Sequence, residues 1–225
     1  MSGDKPYSIA VFHEAVQFSD LLPVDVIGNL SVAYIDAAIA NFPDVPFLHQ
    51  LREQALDLTV HWVASTLEPS KITPGVNMSI QPTHTYETCP LDVDMLFIAG
   101  PHPSSRPPGS LEYIRKFVAA KKGILMTTCT GSLWAASAGV FKGRKVTTNR
   151  GALEAAGQFH PEAEWVDKRW VIDEKPGETR LWTSGGAYAG ADMASVFARR
   201  EFPKEIVEFA LNSLDLSAEK HGEDY

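Results

Sequence analysis

The sequence predicts an α/β fold, a mainly parallel sheet with helices on both faces. Strand-like and helix-like stretches alternate along most of the chain. Residues 95–99 and 124–128 are continuous apolar or β-branched runs, the pattern of strands buried on both faces. The segment from Gly123 to Gly139 then passes from such a run directly into helix formers, with Cys129 at the junction. In a sheet of this kind function belongs at the C-terminal ends of the strands, where Gly100 and Cys129 both fall.

Each element follows from its local pattern. Residues 7–12 make the first strand, and residues 23–41 a helix opened by Asp25 in its first turn. Residues 58–65 alternate apolar and polar side chains as a second strand, and residues 76–80 form a short hairpin-like excursion before Pro82-Thr-His-Thr85. The strand at 95–99 ends at Gly100-Pro101, and an amphipathic helix follows at 111–121. After the strand, elbow and helix around Cys129 come a short strand at 145–148 and a helix from about Ala152. Short strands around Trp165, at 170–173 and at 180–184 predict a small antiparallel appendage. Helices at 191–199 and 203–214 close the ordered core, expected to span residues 7–214, and the polar stretch 217–225 reads as a frayed tail.

Bulk properties narrow the function. With 225 residues, 44% hydrophobic and 21% charged, the chain has enough apolar material for one full core, and a single domain over 1–225 is expected. A net charge of −8 and no long Lys/Arg cluster argue against nucleic acid as a partner. The polar start of the chain and the lack of a long apolar run predict no signal peptide, no membrane span and a cytoplasmic location. Cys89 and Cys129 are then expected to be free thiols. The seven histidines are scattered without metal-ligand spacing, so no metal site is expected.

Cys129 is the candidate nucleophile. At a strand-to-helix elbow, the first-turn N–H groups and the helix dipole would stabilise a thiolate and lower the thiol pKa, whereas the alternative is a small buried cysteine that merely packs. Asp25, at the first strand-to-helix connection, is either an ordinary first-turn carboxylate or the acid/base partner of the thiol; in the latter case the pair would share one proton. Backbone at Gly100, Thr130 and Gly131 supplies the expected oxyanion or substrate-binding elements. His84 and His102, near the inferred mouth, read as loop or surface residues, Trp134 as a core aromatic, and Gly185-Gly186 as backbone packing.

Several motifs carry a resemblance. Asp25-Val-Ile-Gly28, Ala99-Gly-Pro101, Thr128-Cys-Thr-Gly-Ser132, Gly143-Arg-Lys-Val-Thr-Thr148 and Trp182-Thr-Ser-Gly-Gly186 resemble the ThiJ/PfpI superfamily, and within it the isocyanide (isonitrile) hydratase branch. The resemblance implies a flavodoxin-like three-layer sandwich, a homodimer, a small-molecule substrate and no cofactor. It also implies Cys129 as nucleophile, Asp25 as acid/base and Thr130 as its neighbour. Many relatives carry a histidine just after the Thr-Thr pair; this chain has Asn149, which disfavours chemistry that recruits histidine as base. The expected function is hydration of small isonitriles to N-substituted formamides. The alternatives are a glyoxalase or deglycase of reactive carbonyls, and a redox-sensing protein acting through Cys129 oxidation.

Overall fold

The computed structural model describes residues 5–72, 74–102, 104–216 and 224–225. The chain runs β1 (Tyr7–Phe12), α1 (Leu22–Gly28), α2 (Val32–Asn41), α3 (Pro46–Gln54), β2 (Leu58–Ala64), β3 (Ser70–Lys71), β4 (Ser79–Ile80), β5 (His84–Thr85), β6 (Met95–Ile98), α4 (Ser110–Ala120), β7 (Ile124–Thr127) and α5 (Gly131–Ser137). It continues through β8 (Lys145–Val146), α6 (Leu153–Phe159), β9 (Glu164–Trp165), β10 (Trp170–Asp173), β11 (Arg180–Ser184), α7 (Ala187–Glu201) and α8 (Lys204–Asn212). Seven strands form the central sheet in the order β10-β11-β7-β6-β1-β2-β5, and every pairing except β10 with β11 is parallel.

The predicted architecture is present. Met95 to Ile98 and Ile124 to Thr127 are buried throughout because they sit mid-sheet with helices above and below. On one face Phe12, Leu96, Ile98 and Leu125 pack against Ile114 and Phe117 of α4 and Trp134 of α5. On the other, Val11, Phe97, Met126 and Trp182 pack against Met193 and Phe197 of α7. Each such fully buried side chain contributes roughly 1.5–3 kcal/mol of transfer free energy. A further apolar cluster, with Ile35, Leu51, Ile206 and Leu211, lies among the helices themselves.

Three local expectations are corrected. The helix expected over 23–41 is two: α1 ends at Gly28, and α2 begins after Ser31, whose side chain caps the Tyr34 N–H at 3.1 Å. Leu30 is buried and continues the apolar pattern past the break, so periodicity alone hides it. The strands expected as an antiparallel appendage belong to the main sheet, with β11 parallel to β7 and β10 as its antiparallel edge. The short β9 pairs in parallel with β8. Of the expected tail, residues 217–223 lie outside the described residues, whereas the Tyr225 ring packs under Arg150 at 4.6 Å.

The topology determines where a site can form. The chain leaves β1 towards β2 and β5, then returns to the other side of β1 with β6, β7 and β11. The strand order therefore reverses between β1 and β6, and a crevice opens beyond their C-terminal ends. The connections leaving β1, β6 and β7 meet there.

Candidate active site

Cys129 stands at the elbow with φ +56, a left-handed conformation that L-residues rarely adopt. The turn is held from outside itself: the Cys129 N–H donates to the carbonyls of Gly185 (2.5 Å) and Ser184 (3.2 Å), and Thr148 Oγ1 donates to the Cys129 carbonyl at 2.9 Å. Close packing sets its depth. A Cβ at Gly131 would collide with the Ile98 carbonyl, and one at Gly190 would lie 2.7 Å from Thr128 Oγ1. The glycines thus let α5 and α7 approach the strands, and the cysteine, 9% exposed, faces a cavity.

That cavity, about 580 Å³, has Cys129, Thr130, Gly100 and Asn149 on one side and Ala15, Ile72 and Pro101 around it, with Gln17, Lys71 and His102 completing the lining. The carboxylate beside the thiol is Asp20, not the expected Asp25. Asp20 lies in the 3-10 turn Phe18–Leu21 and is 1% exposed. The β1–α1 connection is stitched to the exit of β6, since the Gln17 N–H donates to the Gly100 carbonyl at 3.0 Å and Val16 bridges Pro101. This brings the Asp20 carboxyl onto Gly100. A Cβ there would run into Asp20 Oδ2 and lie 2.8 Å from Cys129 Cβ, so only glycine leaves room for the pair.

Asp25 is exposed in the first turn of α1 and lines a different cavity, about 880 Å³, with Leu21, Tyr34, Trp62, Met78 and Ile80. The hairpin of β3 and β4 divides the two spaces: Lys71 and Ile72 border the cysteine cavity, and Met78 to Ile80 border the other. Asp25 is the ordinary first-turn carboxylate that the dipole favours. The site sequence Phe18-Ser-Asp-Leu-Leu-Pro23 holds the one signal that could have found Asp20, an acid placed just before a proline-opened helix, but nothing local marks it as buried.

Electrostatics at the pair also depart from expectation. Burial, and then the Asp20 charge, push the Cys129 thiol up to about 11, outweighing the Thr130 N–H and the Asn149 amide, which favour the thiolate. The helix that was expected to lower the thiol pKa is the short α5. Burial raises the Asp20 carboxyl to about 6 against the opposing influence of the Cys129 thiol and the Gly100 backbone, and its Oδ2 has no partner of ordinary hydrogen-bond geometry. Both shifts point the same way: each group of the pair holds its proton more tightly than it would in water.

The remaining candidates sort clearly. Thr130 borders the cavity, and its Oγ1 donates to the Pro101 carbonyl at 2.6 Å. Gly100 borders it as well. Gly131 does not; its N–H is committed to the Thr128 carbonyl at 2.9 Å, so it serves packing rather than substrate. Asn149, passed over as a partner, points Nδ2 at Cys129 Sγ at 3.4 Å. His102 is exposed in the cavity lining, with Nδ1 at 2.8 Å from Ser104 Oγ, whereas His84 lies at the sheet edge against His61. Trp134 is a core residue, its Nε1 donating to Ser110 Oγ at 2.9 Å. Both cysteines are free, and Cys89 is buried beside Tyr113, away from the cavity. Among the described residues no group of three His, Cys, Asp or Glu side chains is placed to hold a metal ion, and no helix is long and apolar enough to cross a membrane.

Comparison with known proteins agrees with this architecture. The chain is 30% identical over 146 residues to the isonitrile hydratase of Pseudomonas putida, a match that covers 64% of this chain and 59% of that relative's length. Among solved structures it is similar to a ThiJ/PfpI family protein from Pseudomonas syringae (TM-score 0.71, 21% identity, 95% of this chain and 76% of that one). It is also similar to DJ-1 of Schizosaccharomyces pombe (TM-score 0.65, 12% identity, 93% of this chain and 100% of that one). These structures share the flavodoxin-like sandwich. The model of the DJ-1/PfpI family matches residues 45–200, a span that holds the elbow, both of its bracing segments and most of the sheet; the chain belongs to the DJ-1/PfpI family.

Proposed function

We propose that the protein hydrates isonitriles to N-substituted formamides, with Cys129 as nucleophile and Asp20 as the group that moves the proton. The observation that carries this reading is the buried Asp20 carboxyl beside the Cys129 thiol, which itself borders a cavity, with the neutral Asn149 amide as a further side-chain contact to the sulfur. The likeness to an isonitrile hydratase supports it.

In this mechanism Sγ bonds to the terminal carbon of the isonitrile while its proton passes to Asp20, which delivers it to the same carbon to give a thioimidate. Water then adds to that carbon with Asp20 as base, and the proton Asp20 takes passes to the imidate nitrogen. The carbon–sulfur bond breaks as the new hydroxyl becomes the carbonyl, its proton returns to the thiolate through Asp20, and the formamide leaves. One water is consumed per isonitrile, so no oxidant, reductant or cofactor is required. A carboxyl near 6 suits both directions of transfer at neutral pH.

The protein acts in this reading as a homodimer in the cytoplasm. The exposed apolar side chains Phe18 and Met78, on the border of the Asp25 cavity, favour a covered face there. The test is formamide production from an alkyl isonitrile, followed by proton NMR, in the wild type and in Cys129→Ala. Turnover that survives in Cys129→Ala, or wild-type turnover of methylglyoxal without turnover of isonitriles, would sink the proposal.

A further inference from the structure

Asn149 is the side chain whose geometry the mechanism above leaves unused. It follows β8, and its backbone is pinned on both sides: the Thr147 N–H donates to Thr183 Oγ1 at 2.9 Å, and the Ala152 N–H donates to the Asn149 carbonyl at 2.8 Å. The orientation of its amide is dictated as well. Oδ1 accepts the Gly151 N–H at 3.0 Å, which turns Nδ2 towards Cys129 Sγ at 3.4 Å. A flipped amide would lose both contacts.

We propose that Asn149 is a catalytic residue, a fixed neutral donor that stabilises the Cys129 thiolate whenever it forms and cannot take its proton. The reaction passes through anionic sulfur twice, as Sγ attacks and as it is expelled, and a preorganised N–H aimed at that atom lowers both barriers. Asp20 acts in the opposite sense on charge, since its carboxylate repels a thiolate. The two side chains divide the work: one handles the proton and the other handles the charge. The other titratable groups around the sulfur are Tyr225, stacked on Arg150, and His102 and Lys71 in the cavity lining; none of them has a hydrogen bond to Sγ among the described residues. An imidazole at position 149 would be a second base and would compete with Asp20 for the proton.

This inference rests on Cys129 as the reactive thiol but not on the identity of the electrophile, so its test uses iodoacetamide. Rates of alkylation at Cys129 are followed against pH by mass spectrometry, with Cys89 as internal reference, alongside the ultraviolet absorbance of the thiolate. Asn149→Ala should raise the apparent thiol pKa by about one unit, a roughly tenfold fall in thiolate at a given pH below it. Asn149→Asp keeps an acceptor for the Gly151 N–H, removes the donor and adds a negative charge, so it should raise the pKa further while preserving the turn. Asn149→His should add a second ionisation in the histidine range and speed alkylation on the acid side. Wild-type profiles in folded Asn149→Ala and Asn149→Asp, verified by circular dichroism, would overturn the inference. Shifted profiles in a protein that turns over no isonitrile would leave the inference standing and remove the hydratase reading instead.

Discussion

Asp20 and Asp25 belong to the same connection between β1 and α1, and the fold uses them in opposite ways. Asp25 is exposed on a helical first turn, where water solvates its charge and the dipole favours it. Asp20, in the preceding 3-10 turn, is sealed beneath Gly100 and Cys129, and burial lifts its carboxyl to about 6. The contrast shows that position in the chain does not set how tightly a carboxyl holds its proton; desolvation does, and in the proposed reaction it fits Asp20 rather than Asp25 to move a proton.

The comparison can be broken by mutation. Asp20→Asn should lower kcat/KM for an isonitrile by about 10²–10⁴, the usual range for loss of a positioned acid/base group, whereas Asp25→Asn should stay within about twofold. The reverse order would return the role to Asp25. Gly100→Ala comes next. Its methyl must displace Asp20 or the Cys129 elbow, so turnover should fall steeply and stability should drop by about 1–3 kcal/mol, read by urea unfolding.

Acidity sharpens the same contrast. The Asp20 carboxyl is raised in the folded state, from 3.8 to about 6, so the folded protein holds that proton more tightly than the unfolded chain does. The stabilisation linked to this proton is complete below about pH 4 and is lost as pH rises through about 6. The carboxylate then costs on the order of 3 kcal/mol at pH 8. Asp20→Asn should therefore make the protein more stable at pH 8 while disabling it, and the gain should vanish near pH 4; equal unfolding midpoints at pH 8 would contradict the burial argument. In the wild type, kcat/KM should climb with pH through an acid limb near 6 that Asp20→Asn lacks. The smallest effect belongs to Asp25→Asn, a loss of a few tenths of a kcal/mol of helix-dipole interaction, measured in the same unfolding experiment.

Much of the fold was legible in the sequence. Continuous apolar runs marked β6 and β7 because a strand covered on both faces has no solvent side to encode, and the helix formers after Cys129 marked the elbow. The break between α1 and α2 escaped because buried Leu30 continues the apolar pattern. The place of β10 escaped because strand pairing is a contact between distant segments, and Trp170 to Asp173 reads the same at the edge of a main sheet as in an appendage.

The sequence by itself determined the central strands, the alternation that makes the sheet parallel, and the candidate nucleophile at a strand-to-helix junction, since each depends on residues adjacent in the chain. Tertiary structure alone decided which carboxylate meets the thiol, that Asn149 rather than Gly131 faces it, and that the thiol is pushed up rather than down. Those outcomes depend on desolvation and on a charge and hydrogen-bond donors contributed by separate connections, and such quantities exist only once the chain has closed around them.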